Sequence, residues 1–310
     1  MTKISIVIPV YNEEESIAKL HQEVVAVCRA SQFEFEIIIV DDGSTDKTAE
    51  IVKTLTPVKL VNFRKNFGQT AALDAGIKQA VYDYIIPLDG DGQNDPADIP
   101  KLIKYAVDNN LDVVSGWRKN RRDKFSKKIA SRGADWLRKF LINDQIHDSG
   151  CTFKVYKKEC FVKVNLYGEM HRFIPAILAI KGFKIGELTV NHRPRMGGRT
   201  KYNWQRLIKG LIDLISIWFW SKYAVRPLHL LGGLGIAISL LGFIFAAVTI
   251  GVFIIWRDVS NTAWPTLTSL FIVTGVQLFI LGLLADVNSR NYHESNNITP
   301  YSIKEITENK

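Results

Sequence analysis

Tyr84-Ile85-Ile86-Pro87-Leu88-Asp89-Gly90-Asp91-Gly92-Gln93-Asn94-Asp95-Pro96 is a short apolar run that stops at two carboxylates separated by one glycine. Such a run reads as a buried strand delivering acids to the carboxyl edge of a sheet, where open α/β sheets bind ligands. Alternate residues of extended backbone point the same way, so Asp89 and Asp91 can face one hard cation, and the glycines let the chain turn close to a ligand. Mg²⁺ or Mn²⁺ carrying a diphosphate suits this pair, because such ions take one or two carboxylates and fill the other positions with phosphate oxygen and water. Asp-Gly pairs also make tight turns, and for an isolated Asp-x-Asp that reading stands level with the metal one.

Working outward, residues 4–10 form a strand pattern, and residues 14–30 follow with Ile17, Leu20, Val24 and Val27 at helical spacing. Residues 35–40 are the next strand, ending at Asp41-Asp42-Gly43-Ser44-Thr45-Asp46. A helix over 48–55 follows, with Ser44 or Thr45 as its cap. A strand over 58–61, a helix over 69–80, the Tyr84 strand, a helix over 96–109 opened by Pro96 and a strand over 112–116 complete the pattern. Strands alternating with helices imply right-handed βαβ units and a mostly parallel sheet whose loops converge on one edge.

The second half of the 310-residue chain changes character. Residues 228–256 and 264–285 contain no charged side chain, and each is long enough to cross a bilayer core, which needs roughly 20 apolar residues. Arg257-Asp258-Val259-Ser260-Asn261-Thr262-Ala263 joins them as a short loop, so the pair reads as a transmembrane hairpin. Before it, residues 202–226 place Arg206, Lys209, Asp213 and Ser216 among Trp204, Leu207, Ile208, Leu211, Trp218 and Phe219, as in a helix lying in the membrane interface. The first residues read as strand and loop, not as a secretory signal. Lys209, Lys222 and Arg226 before the first span, with Arg290 and Lys304 after the second, then place both termini and the front domain in the cytoplasm. The formal charge of +9 fits a membrane surface and phosphate ligands better than nucleic acid, because two long apolar spans are present and the basic run over 118–128 carries a single aromatic, Phe125. Cys28, Cys151 and Cys160 have no metal-site spacing and read as reduced packing residues.

Pro9-Val10-Tyr11-Asn12-Glu13-Glu14, then Val40-Asp41-Asp42-Gly43-Ser44-Thr45-Asp46, then Asp89-Gly90-Asp91-Gly92-Gln93 form an ordered set. It resembles the inverting family 2 glycosyltransferases of GT-A fold, and among them the polyprenyl-phosphate glycosyltransferases related to dolichol-phosphate mannose synthase and bactoprenol glucosyltransferase. The resemblance implies an α/β GT-A domain over residues 1–201, the interfacial segment over 202–226, two membrane helices within 227–286 and a cytosolic tail over 287–310. It further implies that Pro9, Tyr11, Asn12 and Glu13 line the nucleotide pocket, that Asp42 contacts base or ribose, and that Arg64 and Asn66 belong to the donor site. Asp89 would touch ribose and metal, with Asp91 and Gln93 as metal ligands. Arg118 and Arg132 match positions that hold the acceptor phosphate, Asp148 falls near the reaction centre, and Arg195, Arg199 and Lys201 match a loop that closes over the donor phosphates.

The implied reaction moves a hexose, with glucose from UDP-glucose as the first expectation, onto undecaprenyl or dolichyl phosphate at the cytosolic face of a bacterial plasma membrane, with Mg²⁺ or Mn²⁺. Asp148 is open between steadying a sugar hydroxyl, orienting a basic residue and capping. A processive polysaccharide synthase would carry more spans and a Gln-x-x-Arg-Trp motif, and neither is present. A nucleotide-sugar receptor without turnover has no need of a metal and phosphate clamp. Gly232, Gly233 and Gly235 on one helix could pack against further copies of the chain. The second span ends Gly282-Leu283-Leu284-Ala285-Asp286-Val287, where many relatives carry a Gly-Glu-Tyr-like sequence.

Overall fold

The computed structural model describes residues 2–119, 146–194 apart from 163, 165, 167 and 169, then 215, 218, 219, 222 and 223, and 226–295 apart from 260 and 261. Two compact units divide the chain, Met1–Ile215 and Ser216–Lys310.

In the first unit β1 (Lys3–Val10), α1 (Ile17–Ala30), β2 (Glu34–Asp41), α2 (Thr48–Lys53), β3 (Lys59–Asn62), α3 (Gln69–Gln79) and β4 (Tyr84–Pro87) follow the predicted alternation closely. After a short 3-10 turn at Pro96–Asp98 come α4 (Ile99–Asp108), β5 (Val113–Trp117), β6 (Lys154–Lys157), α5 (Ile174–Ile180) and β7 (Ile185–Thr189). The sheet order is β3-β2-β1-β4-β6-β5-β7. Only β6 among them runs antiparallel to its neighbours, pairing Ile85 with Tyr156 on one side and Ser115 with Lys154 on the other. Because β1 to β5 and β7 share one direction, their carboxyl ends and the amino end of β6 meet at a single edge.

Strand alternation divides the core into two layers. Ile4, Ile6, Ile8 and Val10 pack with Ile17, Leu20, Val24 and Cys28 of α1 and with Leu102 and Ile103 of α4. Val7, Ile38, Val40 and Ile85 face Ala72, Leu73 and Ile77 of α3 and Ile174 and Leu178 of α5. Burial of these side chains is the main force holding the unit together. All three cysteines are buried free thiols, and burial raises Cys28 and Cys160 to about 12. The start of α2 differs from expectation: Lys47, not Ser44 or Thr45, stands at the N-cap without a side-chain cap bond, and Asp46 before it accepts from Thr48 N (2.9 Å) and Oγ1 (2.6 Å). A carboxylate placed there also favours the positive end of the helix.

In the second unit α6 (Pro227–Trp256) and α7 (Trp264–Ser295) pack together as a hairpin. Both are long and apolar enough to cross a membrane, and only 6% and 11% of their most apolar windows is buried, whereas a core helix would be largely enclosed. α7 continues to Ser295, beyond the apolar stretch expected to end the span at 285, since its polar residues 286–295 tolerate helix. Glycines set the hairpin contact. A Cβ on Gly235 would lie 2.6 Å from Gly275 O, and one on Gly242 would lie 2.7 Å from the Ile272 side chain. Gly232 also faces Phe279 of α7, while Gly233 has nothing within 4 Å. Two of the three glycines expected to be available to another copy are thus used inside the hairpin.

Candidate active site

The donor side of the edge is built by cross-linking two loops. Asn12 adopts φ 56°, a left-handed conformation that asparagine tolerates, and its side-chain oxygen accepts from Thr45 N at 2.8 Å. Asn12 N donates to Ser44 Oγ (2.9 Å), Glu13 N to Thr48 Oγ1 (2.9 Å) and Lys47 N to Glu14 Oε2 (3.0 Å). Ser16 Oγ donates to Gly90 O (2.8 Å), which draws the start of α1 onto the acidic loop. Gly90 must be small there, since a Cβ would lie 2.7 Å from Val10 Cγ1.

Asp42 is buried, and its oxygens accept from Phe67 N (2.7 Å) and Gly68 N (2.9 Å). Desolvation raises its pKa, and those two N–H groups partly offset the rise. Asp42 thereby holds the loop that carries the exposed Arg64 and Asn66 and leads into α3. Gly43, at φ 71°, leaves no room for a side chain against the Lys65 backbone.

Asp89 sits at the end of β4 with both oxygens engaged: Oδ1 accepts from Gln69 Nε2 (2.8 Å) and Oδ2 from Thr152 Oγ1. Desolvation, with the Asp91 charge as second cause, pushes its pKa up to about 6. Asp91 Oδ1 accepts from Gln93 N at 3.1 Å, and both side chains are partly open to solvent. Two repelling carboxylates beside an amide oxygen are a hard donor set suited to Mg²⁺ or Mn²⁺. Among the described residues no three His, Cys, Asp or Glu side chains are grouped so that they could hold a metal ion by themselves.

Across β6 lies a second cluster. Arg118, one residue beyond β5, donates Nε to Asp148 Oδ2 (2.7 Å) and Nη2 to Asp148 Oδ1 (2.9 Å), with the side chains only 12% and 11% exposed. Burial opposes ionisation of Asp148, but the Arg118 bonds and charge outweigh it and lower its pKa. Among the described residues Asp148 engages only the Nε and Nη2 side of the guanidinium fork. Glu187 of β7 holds the other side of this segment, accepting from Asp148 N (3.1 Å) and His147 N (2.9 Å), while His147 stacks on Trp117 with ring centroids 4.7 Å apart. Lys154 is buried at the amino end of β6, its ammonium donating to the carbonyls of Ser149 and Cys151. A cavity of about 10 Å³, on the order of one water, lies behind Asp89 among Gln69, Thr152, Lys154 and His171.

The model of the family described as Glycosyl transferase family 2 matches residues 5–164. A dodecaprenyl-phosphate galacturonate synthase of Rhizobium johnstonii is 36% identical over 313 residues, covering 98% of this chain and 93% of that protein. The chain belongs to glycosyl transferase family 2. An undecaprenyl-phosphate 4-deoxy-4-formamido-L-arabinose transferase of Yersinia pestis is 32% identical over 311 residues, with the same 98% and 93% coverage. The polyprenyl-phosphate glycosyltransferase resemblance seen in the motifs is thus borne out along nearly the whole chain. Among solved structures, glucosyl-3-phosphoglycerate synthase of Mycobacterium tuberculosis in complex with Mn²⁺, UDP and glucosyl-3-phosphoglycerate superposes with TM-score 0.54 at 16% identity, covering 71% of this chain and 80% of that one. That likeness shows the GT-A fold.

Within this family 2 enzyme, Pro9, Tyr11, Asn12, Glu13, Asp42, Asp89, Asp91, Gln93, Arg118 and Asp148 all lie at the carboxyl edge of the sheet or in the loops leaving it. Arg132, Arg195, Arg199 and Lys201 lie outside the described residues. Of the three roles left open for Asp148, the geometry carries the orientation of a basic residue. Gln69, Thr152, Lys154 and Glu187 went unrecognised in the sequence. Lys154 alternates with apolar Phe153 and Val155, a pattern that reads as an exposed strand face unless a reversed inner strand is foreseen.

Proposed function

We propose that this glycosyltransferase transfers a sugar from a nucleotide-sugar to a polyprenyl monophosphate at the cytosolic face of a bacterial plasma membrane, inverting the anomeric configuration. The observation that carries the reading is the meeting of two sites on one sheet edge: Asp89, Asp91 and Gln93 beyond β4, and the Arg118 and Asp148 pair beyond β5. One suits a diphosphate with its cation, the other a phosphate monoester.

A phosphate oxygen attacks the anomeric carbon as the bond from that carbon to the nucleoside diphosphate breaks, and the diphosphate leaves with the electron pair. The monoester has a second pKa near 6, so it is largely ionised at neutral pH and needs holding more than deprotonating. Arg118 holds it through the Nη1 end of its fork, and Asp148 keeps the fork in place. Arg132 adds a second cation to the acceptor, while Arg195, Arg199 and Lys201 neutralise the donor phosphates. Pro9, Tyr11, Asn12, Glu13, Asp42, Arg64 and Asn66 receive the nucleotide. When bound to Asp89, Asp91 and Gln93, Mg²⁺ or Mn²⁺ supplies charge stabilisation to the departing diphosphate.

The apolar hairpin of α6 and α7 anchors the protein in the bilayer that holds the polyprenyl acceptor, with both termini cytoplasmic; the segment over 202–226, read from its sequence as interfacial, lies largely outside the described residues. The donor sugar is one of the class named in the two relatives, a uronic or modified amino sugar, or the glucose first expected from the resemblance. The deciding assay is transfer of radiolabel from a panel of nucleotide-sugars into the organic phase, using full-length protein, undecaprenyl phosphate and Mn²⁺, with a chelator control. Metal-dependent labelled lipid from one donor supports the reading and names the sugar. Nucleotide binding without labelled lipid from any donor defeats it.

A further inference from the structure

The segment after β7 is fastened to the acidic loop by contacts to which no step of the proposed reaction has yet given a role. Arg193 N donates to Gln93 O at 2.9 Å, and Asn94 and His192 form an isolated antiparallel bridge. The Arg193 guanidinium spans two carboxylates, with Nη1 at 2.6 Å from Glu23 Oε2 of α1 and Nη2 at 2.6 Å from Asp95 Oδ1. Asp95 in turn accepts from Ala97 N (3.0 Å) at the start of the 3-10 turn. Asn191 N donates to Asp98 Oδ2 (2.6 Å) and Lys101 Nζ to Thr189 O (3.0 Å), so residues 189–193 lie along 93–101.

The acidic loop needs such support. Gly90 and Gly92 flank Asp91, and Gly92 adopts φ 70°, so the local chain has little stiffness of its own. The Asp91 carboxylate is fixed by Gln93 N, and the following peptide, through Gln93 O, is fixed by Arg193 N. Two hydrogen bonds thus connect the Arg193 backbone to the Asp91 carboxylate. The guanidinium fork, reaching Glu23 and Asp95 together, holds the 191–193 segment at the spacing those bonds require.

We propose that Arg193 is a positioning residue that fixes the geometry of Asp91 and Gln93 for a divalent cation. The proposal rests on the reading of Asp91 and Gln93 as metal ligands. Arg193 is outside hydrogen-bond reach of neither loop nor helix: it ties α1, the acidic loop and the segment after β7 into one frame, as outer partners of metal ligands do elsewhere.

The test is a Mn²⁺ titration of the full-length protein in detergent, followed by electron paramagnetic resonance of the free ion, alone and with uridine diphosphate as the probe nucleotide. Arg193→Met should weaken Mn²⁺ binding about 10-fold, the low end for loss of an outer partner. Arg193→Lys keeps the charge but cannot span both carboxylates, so it should recover only part of that loss, and full recovery would replace positioning with simple electrostatics and overturn the proposal. Asp91→Asn in the same assay tests the underlying reading: unchanged affinity there removes the metal site itself. Weakened binding in Asp91→Asn with wild-type affinity in Arg193→Met overturns the positioning role alone. If Arg193→Met does not fold, as judged by thermal melting, Asp95→Asn replaces it, and unchanged Mn²⁺ affinity in that variant overturns the proposal.

Discussion

Replacing Asp148 by asparagine removes the charge of the anionic partner that accepts both guanidinium bonds of Arg118 while keeping the side chain's size. The Arg118 and Asp148 side chains are 12% and 11% exposed, so solvent screens the pair little. Breaking a buried pair by removing one partner costs about 3–5 kcal/mol, because the remaining charge is left uncompensated. Asparagine keeps one acceptor oxygen, which places the expectation at the low end, about 3 kcal/mol. For a unit of this size each kcal/mol moves Tm by roughly 2–4 °C, giving a loss of roughly 6–12 °C at pH 7. Thermal melting of the full-length protein in detergent measures it.

The pH dependence makes the test sharper. Asp148 ionises more readily in the folded protein than in the unfolded chain, so its contribution is fully present above the unfolded value of about 3.9 and is lost as pH falls through the lower folded value. The gap between wild type and Asp148→Asn should therefore hold from pH 8 to 5 and close below about pH 4. Freed from Asp148, Arg118 should also hold the acceptor less well, raising KM for the lipid phosphate more than KM for the donor. A variant melting within about 1 °C of wild type at pH 7 would show that the pair does not hold this edge together.

Asp89 should behave in the opposite sense, because its pKa is raised to about 6: in metal-free protein its contribution is present below about pH 4 and lost as pH rises through 6, a swing of about 3 kcal/mol. Melting curves of wild type and Asp89→Asn that stay parallel between pH 4 and 7 would contradict this. Thr152→Val removes a hydroxyl donated to the Asp89 carboxylate and should slow lipid labelling by roughly 10-fold or more, as expected for a hydrogen bond to a charged group, with the protein still folded. Unchanged labelling would separate Thr152 from the site. In the hairpin, Gly235→Leu forces side-chain atoms into the Gly275 and Phe279 backbone and should cost about 1–3 kcal/mol, whereas Gly233→Leu should be tolerated. Equal melting temperatures and yields for the two variants would mean that the α6 and α7 contact is not the one described.

The parallel half of the fold was legible because each strand there is a mostly apolar run with a helical period behind it: residues 4–10, 35–40 and the run from Tyr84 all became strands within a residue or two. The mixed half was not. β6 is four residues long, carries a buried lysine and follows a basic stretch, so neither length nor alternation separates it from a surface loop. The same physics limited the site. Asp89 and Asp91 announce themselves by ending an apolar run, but their supports, Gln69, Thr152 and Arg193, are single polar residues whose partners lie 20, 63 and 98 positions away in the chain. No local pattern encodes a contact of that range. Asp42 shows the converse: its motif was legible, yet its buried oxygens are engaged by a backbone turn 25 residues on.

The reversal of β6 has a chemical consequence. Inserted between β4 and β5, it begins at the edge where its parallel neighbours end. The residues leading into it therefore pass between the acidic loop and Arg118: Asp148 binds Arg118, Thr152 binds Asp89, and Lys154 holds the carbonyls between them. A parallel strand in that place would present its trailing residues there, and a four-residue strand would carry its leading loop roughly 13 Å away to the other edge. Reversal lets one segment of seven residues, 148–154, touch both halves of the proposed chemistry. The attacking and departing groups must stand in line on opposite sides of the anomeric carbon, and a shared segment fixes the distance between their holders more tightly than two independent loops would. Of the two strands that sequence patterning missed, β6 and β7, the reversed one is thus the strand that couples the donor side to the acceptor side.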